Sequence, residues 1–270
     1  MSVSLTKRYE NFAIFRREYT MTAGEKANST IRTSLGSVKN TARIAGLLYL
    51  AHFVAFFLAD NGVHYTAVGP IDAAATANNI MASEWQFRTG YVSYLLAALF
   101  FLLAAWALYV LMKPVNKDLA LLFVLLNLAG VVIQCASLFF EFGAHLLLSD
   151  VNFLNVSPED QPGALATLFL LVYKNGFMIA QIFLALWVLP LGYLVIKSGF
   201  LPRILGIFLL IDCLVLLIWV FQFFLFYPGN EGISAVCLAI SFIAEAALCL
   251  WLLIKGVNVE QWEKRALETA

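Results

Sequence analysis

Six apolar runs, each close to or above the length needed to cross a bilayer, constrain this chain more than any other feature. They cover approximately residues 42–59, 90–112, 119–148, 168–196, 202–227 and 233–254. A hydrocarbon core of about 30 Å takes roughly 20 helical residues at a rise of about 1.5 Å each. Composition agrees: 62% of the 270 residues are hydrophobic and 13% are charged, against about 45–50% and 25% in soluble domains. Twenty-three phenylalanines exceed what one water-soluble core of this size can hide, and lipid is their natural solvent. The fold class expected is therefore all-α, a polytopic transmembrane helical bundle of six spans. Its joints are marked. Pro114 stops the second run after Lys113, Pro202 can open the fifth, and "YPGNEG" reads as a tight turn before the sixth.

Basic residues predict the sides. Lys39, Arg43, Lys113, Lys117, Lys197, Arg203 and Lys255 share one face if six helices alternate. The other face carries Arg88 and Lys174 against Asp60, Asp72, Glu84, Asp150, Glu159, Asp160 and Glu231. Lysine and arginine are retained in the cytoplasm, so the expected topology is N-in/C-in. Residues 1–38 read as a polar, mobile cytoplasmic leader with a short helix over 9–19, and lack the continuous apolar core of a signal peptide. The membrane domain is expected over 39–256. Residues 60–89 suggest a short outer interfacial helix starting near Asp72, and 149–167 a loop broken by Pro158 and Pro162. The tail, 257–270, suggests a short interfacial helix with Trp262 at headgroup depth.

Polar residues inside these runs are the candidate site. Asn127, Gln134 and Glu141 recur every seven residues, and His145 follows Glu141 by four, which puts them on one helical stripe facing other helices. Lys174 is their expected charged neighbour near the outer boundary. Asp212 and Glu245 sit near the middle of the last two runs, on helices that the turn makes antiparallel. Two carboxylates at matched depth can share a proton or bind one cation, or each can hydrogen-bond a different helix. His52, His64 and His145 lack ligand spacing, so no metal site is assigned, and His52 reads as a packing residue. Cys135, Cys213, Cys237 and Cys249 lie in apolar runs without paired spacing and read as small buried hydrophobes. HExxH, GxSxG and GxxxxGK are all missing, so the usual zinc-protease, serine-hydrolase and P-loop chemistries have no support, and nothing calls for a cofactor. A formal net charge of zero and no basic block argue against nucleic acid as a partner.

Five stretches, "TARIAGLLYL", "DAAATANNIMASEW", "LYVLMKPVNKDLALL", "GYLVIKSGFLPRILGIFLL" and "LWLLIKGVN", resemble an uncharacterised family of bacterial multi-pass inner-membrane proteins. It is the domain of unknown function 4386 family. The resemblance spans about residues 41–258 and implies a helical bundle in the bacterial plasma membrane, with no activity to carry over. Three functional classes stay open. The first is a small-solute transporter coupled to a proton or cation; no inverted repeat is evident in its favour. The second is a sensor or accessory subunit docked on a membrane-protein partner, and the third an intramembrane enzyme. The lipid bilayer is a partner in all three.

Overall fold

Each apolar run becomes a helix because lipid leaves backbone amides and carbonyls no other partner. The computed structural model describes residues 23–60, 84–148, 162–226 and 229–268. Its helices are α1 (Ala23–Asp60), α2 (Glu84–Met112), α3 (Lys117–Leu148), α4 (Pro162–Ser198), α5 (Arg203–Leu225), α6 (Glu231–Ile254) and α7 (Val259–Glu268). Six of them, α1 to α6, are long and apolar enough to cross a membrane. Large apolar side chains such as Phe139 and Leu214 point out of the bundle, 74% and 63% exposed, as a surface solvated by acyl chains requires.

The expected boundaries shift in three places. Helix α1 begins at Ala23, so the later part of the polar leader continues the first span. The stretch 84–89, read from sequence as part of the outer connection with its interfacial helix, is the first turn and a half of α2. Pro162, read as a loop breaker, opens α4, where a missing amide hydrogen costs nothing. The short helix expected over 9–19, the outer helix near Asp72 and the loop around Pro158 lie outside the described residues.

The bundle is a closed ring in chain order. Each helix packs on the next, and α6 returns to α1. Small residues set the closest approaches. At the α4–α5 crossing a β-carbon on Gly206 would meet the Gly192 carbonyl oxygen, and one on Gly192 would meet that of Gly206. At the α1–α6 crossing Gly46 lies against the Leu253 backbone, and the Cys249 thiol donates to the Gly46 carbonyl at 3.3 Å. Close backbone approach of this kind replaces the hydrophobic drive that helices lose in lipid.

The α5–α6 turn is clamped by Gln222. Its side-chain oxygen accepts from the Asn230 amide (2.9 Å), and its amide nitrogen donates to the Ser234 hydroxyl (2.7 Å). Asn230 then caps α6 by accepting from the Ile233 amide at 3.1 Å, a common use of asparagine. Gly229 follows the turn at φ 92°, a conformation open to glycine without strain. At the opposite end of the bundle α7 lies across the helix ends. The Trp262 indole N–H donates to the Leu111 carbonyl (2.9 Å), and Arg265 donates to the Lys197 carbonyl (3.2 Å). None of α7 is buried, which suits a helix resting at an interface.

Candidate functional site

Asp212 and Glu245 are brought together by simple helix arithmetic. Asp212 is the tenth residue of α5 and Glu245 the tenth from the end of α6. The two helices are antiparallel neighbours, so both carboxylates lie about 14 Å from the same end of the bundle. They face each other; Ser241 also faces Asp212, and Tyr49 of α1 faces Glu245. Asp212 is wholly buried, yet neither of its oxygens completes a hydrogen bond of good geometry, and the same holds for the Tyr49 hydroxyl. Buried polar groups left so are rare, because each forfeits its hydration.

Glu245 is only partly buried because it looks into a cavity of about 470 Å³ at the centre of the ring. All six membrane helices contribute walls. The walls are mostly aromatic: Phe53 and Phe56 from α1, Tyr94 and Phe101 from α2, Tyr173, Phe177 and Trp187 from α4, Trp219 from α5 and Phe242 from α6. Polar groups reach it from His52, Gln134, Gln181, Ser241 and Glu245. A pocket of about 300–1,000 Å³ with apolar walls and a few placed polar groups is the usual form of a small-molecule site.

The aromatic wall is a packed unit. The ring of His52 stacks on Phe101 at 4.2 Å and 13°, and Trp187 meets Phe101 edge-on at 5.0 Å. His52 Nδ1 bonds the Ala97 carbonyl at 2.9 Å. A carbonyl only accepts, so Nδ1 carries the proton, and Nε2 is the nitrogen left for a ligand. The packing role expected for His52 is thus joined by a place in the cavity wall. Trp187 is fully buried and its indole N–H has no acceptor.

The α3 stripe divides. Asn127, Gln134, Glu141 and His145 are all buried, as are Ser137 beside them and Lys174 on α4. Gln134 alone among these reaches the cavity. Asn127 lies two turns nearer the α2–α3 joint, with neither end of its amide hydrogen-bonded. Glu141 and His145 lie towards the other end of α3, and the Lys174 ammonium sits 5.3 Å above the Phe223 ring. Among the described residues no three histidine, cysteine or acidic side chains gather as metal ligands, and His64 lies outside them. All four cysteines are free thiols.

Sequence reasoning passed over Tyr49, Trp187, Trp219 and Gln181. One signal was available on α4, where Tyr173, Phe177, Gln181 and Leu184 follow helical spacing and all line the cavity. An amide on such a stripe separates it from a lipid-facing one.

A ring of six membrane helices around an aromatic, carboxylate-bearing cavity defines a polytopic membrane protein with an internal cavity. The family model of the domain of unknown function DUF4386 matches residues 44–256, and the chain belongs to that family. It is a multi-pass protein of the bacterial inner membrane. No curated protein matches the chain. No solved structure does either.

Proposed function

We propose that this protein is a small-solute carrier whose cavity is coupled to a proton or cation at the Asp212–Glu245 pair. The observation that carries the reading is the pair's placement: one carboxylate opens on the cavity while the other sits behind it, wholly buried. Two carboxylates this close and away from water favour holding one proton between them. A solute that engages Glu245 then competes with that proton, which is the minimum a coupled carrier needs. Packing alone would not call for two acids at one depth, since ionisable groups in lipid cost several kcal/mol. A sensor or accessory subunit, or an intramembrane enzyme, has no comparable observation in its favour.

Proteoliposomes test the reading. Sodium, potassium, a quaternary ammonium ion, a small alcohol and a small carboxylate are each applied as a gradient. Charge movement and internal pH are recorded against protein-free vesicles. At least one solute is expected to move protons through the wild type, with the signal falling roughly tenfold or more in Glu245→Gln. If no solute gives a protein-dependent signal, or the variant matches wild type, the protein is not this carrier.

Within the same reading we place both termini in the cytoplasm. Lys113, Lys117, Lys197, Arg203 and Lys255 collect at one end of the ring, where α7 also docks, and such clusters stay on the cytoplasmic face. In a cysteine-free background, Asp118→Cys is expected to react with an impermeant maleimide from the cytoplasmic side and Glu231→Cys from the outside. The reverse pattern would invert the topology.

A further inference from the structure

We propose that the cavity binds organic ammonium ions, with the charged nitrogen at Glu245 and an apolar or aromatic body against the ring wall. This rests on the carrier reading only for its biological setting; the site and its ligand class can be measured without transport.

Four observations lead to this class. The first is charge. Among the described residues Glu245 is the acidic one lining the cavity, and no lysine or arginine lines it. Asp212 lies directly behind, buried and facing Glu245. One proton between the two still leaves a negative charge, so the cavity favours a cation and rejects a carboxylate or phosphate.

The second is size. A cavity of about 470 Å³ is far larger than a bare metal ion needs, and no three metal-ligating side chains gather among the described residues. The occupant therefore has an organic body. The third is the wall itself. Phe53 and Phe56 present aromatic surface to the cavity, backed by the buried rings of Phe101, Tyr173, Trp187 and Trp219, and ring faces attract ammonium groups while ring edges and apolar stems bury its carbon.

The fourth is access. Phe57 and Phe242 line the cavity and are also about half exposed on the outside of the bundle. They meet edge to face at 5.7 Å where α1 and α6 adjoin. The cavity thus reaches the membrane-facing surface, where amphiphilic cations concentrate. A strictly hydrophilic solute would gain nothing from such an opening.

The test uses purified full-length protein in detergent micelles and N,N,N-trimethyl-2-phenylethylammonium as probe. Calorimetry gives the affinity, and quenching of tryptophan fluorescence gives the location. The neutral comparison is 2-phenylethanol and the anionic one phenylacetate. The ammonium ion is expected to saturate with a Kd about tenfold or more below both comparisons. Glu245→Gln should erase that preference, Glu245→Asp should retain most of it, and Trp187→Phe should reduce the quench. The proposal is overturned if the alcohol or the carboxylate binds as tightly, if the ammonium ion shows no saturable heat, or if the preference survives Glu245→Gln. Binding without flux would remove the carrier and keep the ligand class. Flux of a neutral or anionic solute, with no ammonium binding, would do the opposite.

Discussion

Leucine at Gly206 is expected to be among the most damaging single substitutions in the membrane domain. A β-carbon there would lie 2.5 Å from the Gly192 carbonyl oxygen, 2.6 Å from a side-chain carbon of Ile196 and 3.0 Å from the Ile196 amide nitrogen. Two of those three atoms are backbone and cannot rotate away. The helices must separate, and with them the dispersion contacts of Leu209 and Leu205, both buried in the same core. Overpacking a core costs about 1–3 kcal/mol where side chains can yield. With backbone on the other side the loss should reach at least about 3 kcal/mol. Gly143→Ala is the matched control, because its new β-carbon would touch only the Phe169 ring at 3.7 Å or more. It should be neutral, or stabilising by up to about 1 kcal/mol from the helical preference of alanine. Equilibrium unfolding in mixed micelles separates the two. Equal stability of Gly206→Leu and wild type would mean that α4 and α5 do not cross here.

That crossing shows where the sequence stops being legible. The six spans could be read because bilayer thickness fixes a length, and apart from the start of α1 their ends fall within six residues of the observed helix ends. The stripe Asn127–Gln134–Glu141 could be read as buried because amides and acids are costly in lipid, whichever helix receives them. Asp212 and Glu245 stood out for the same reason, and the short turn made their helices neighbours. The aromatic wall gave no such signal. A phenylalanine facing lipid and one facing a cavity are equally apolar, so a membrane helix can lack the amphipathic pattern that would sort Phe101 from Phe139. Which glycines touch was hidden too. Gly192 and Gly206 gain meaning only once the angle between α4 and α5 is known, and that angle depends on the whole ring. The polar residues of α1 before Val38 misled in the other direction, since low hydrophobicity was read as a lack of helix.

Those same physical costs make Asp212 the residue whose replacement best separates function from packing. A buried acid facing Ser241 and Glu245, with neither oxygen in a well-formed hydrogen bond, contributes little to stability. Removing its charge relieves desolvation and the repulsion of its neighbour, and exchanging buried ionic groups for neutral ones is often harmless or stabilising by about 1–4 kcal/mol. Asp212→Asn keeps the shape and a donor for Glu245. The variant is therefore expected to unfold within about 1 kcal/mol of wild type, or later. Its carrier activity should behave differently. With no second carboxylate to hold the proton that the solute displaces, solute-driven proton movement should fall by roughly tenfold or more, while ammonium binding at Glu245 persists. Stability and flux move apart only if Asp212 is kept for what it does. If Asp212→Asn is destabilised by more than about 3 kcal/mol, the acid is a structural anchor whose hydrogen bonds exceed its desolvation cost. If the variant is stable and moves protons as well as wild type, coupling does not pass through this pair.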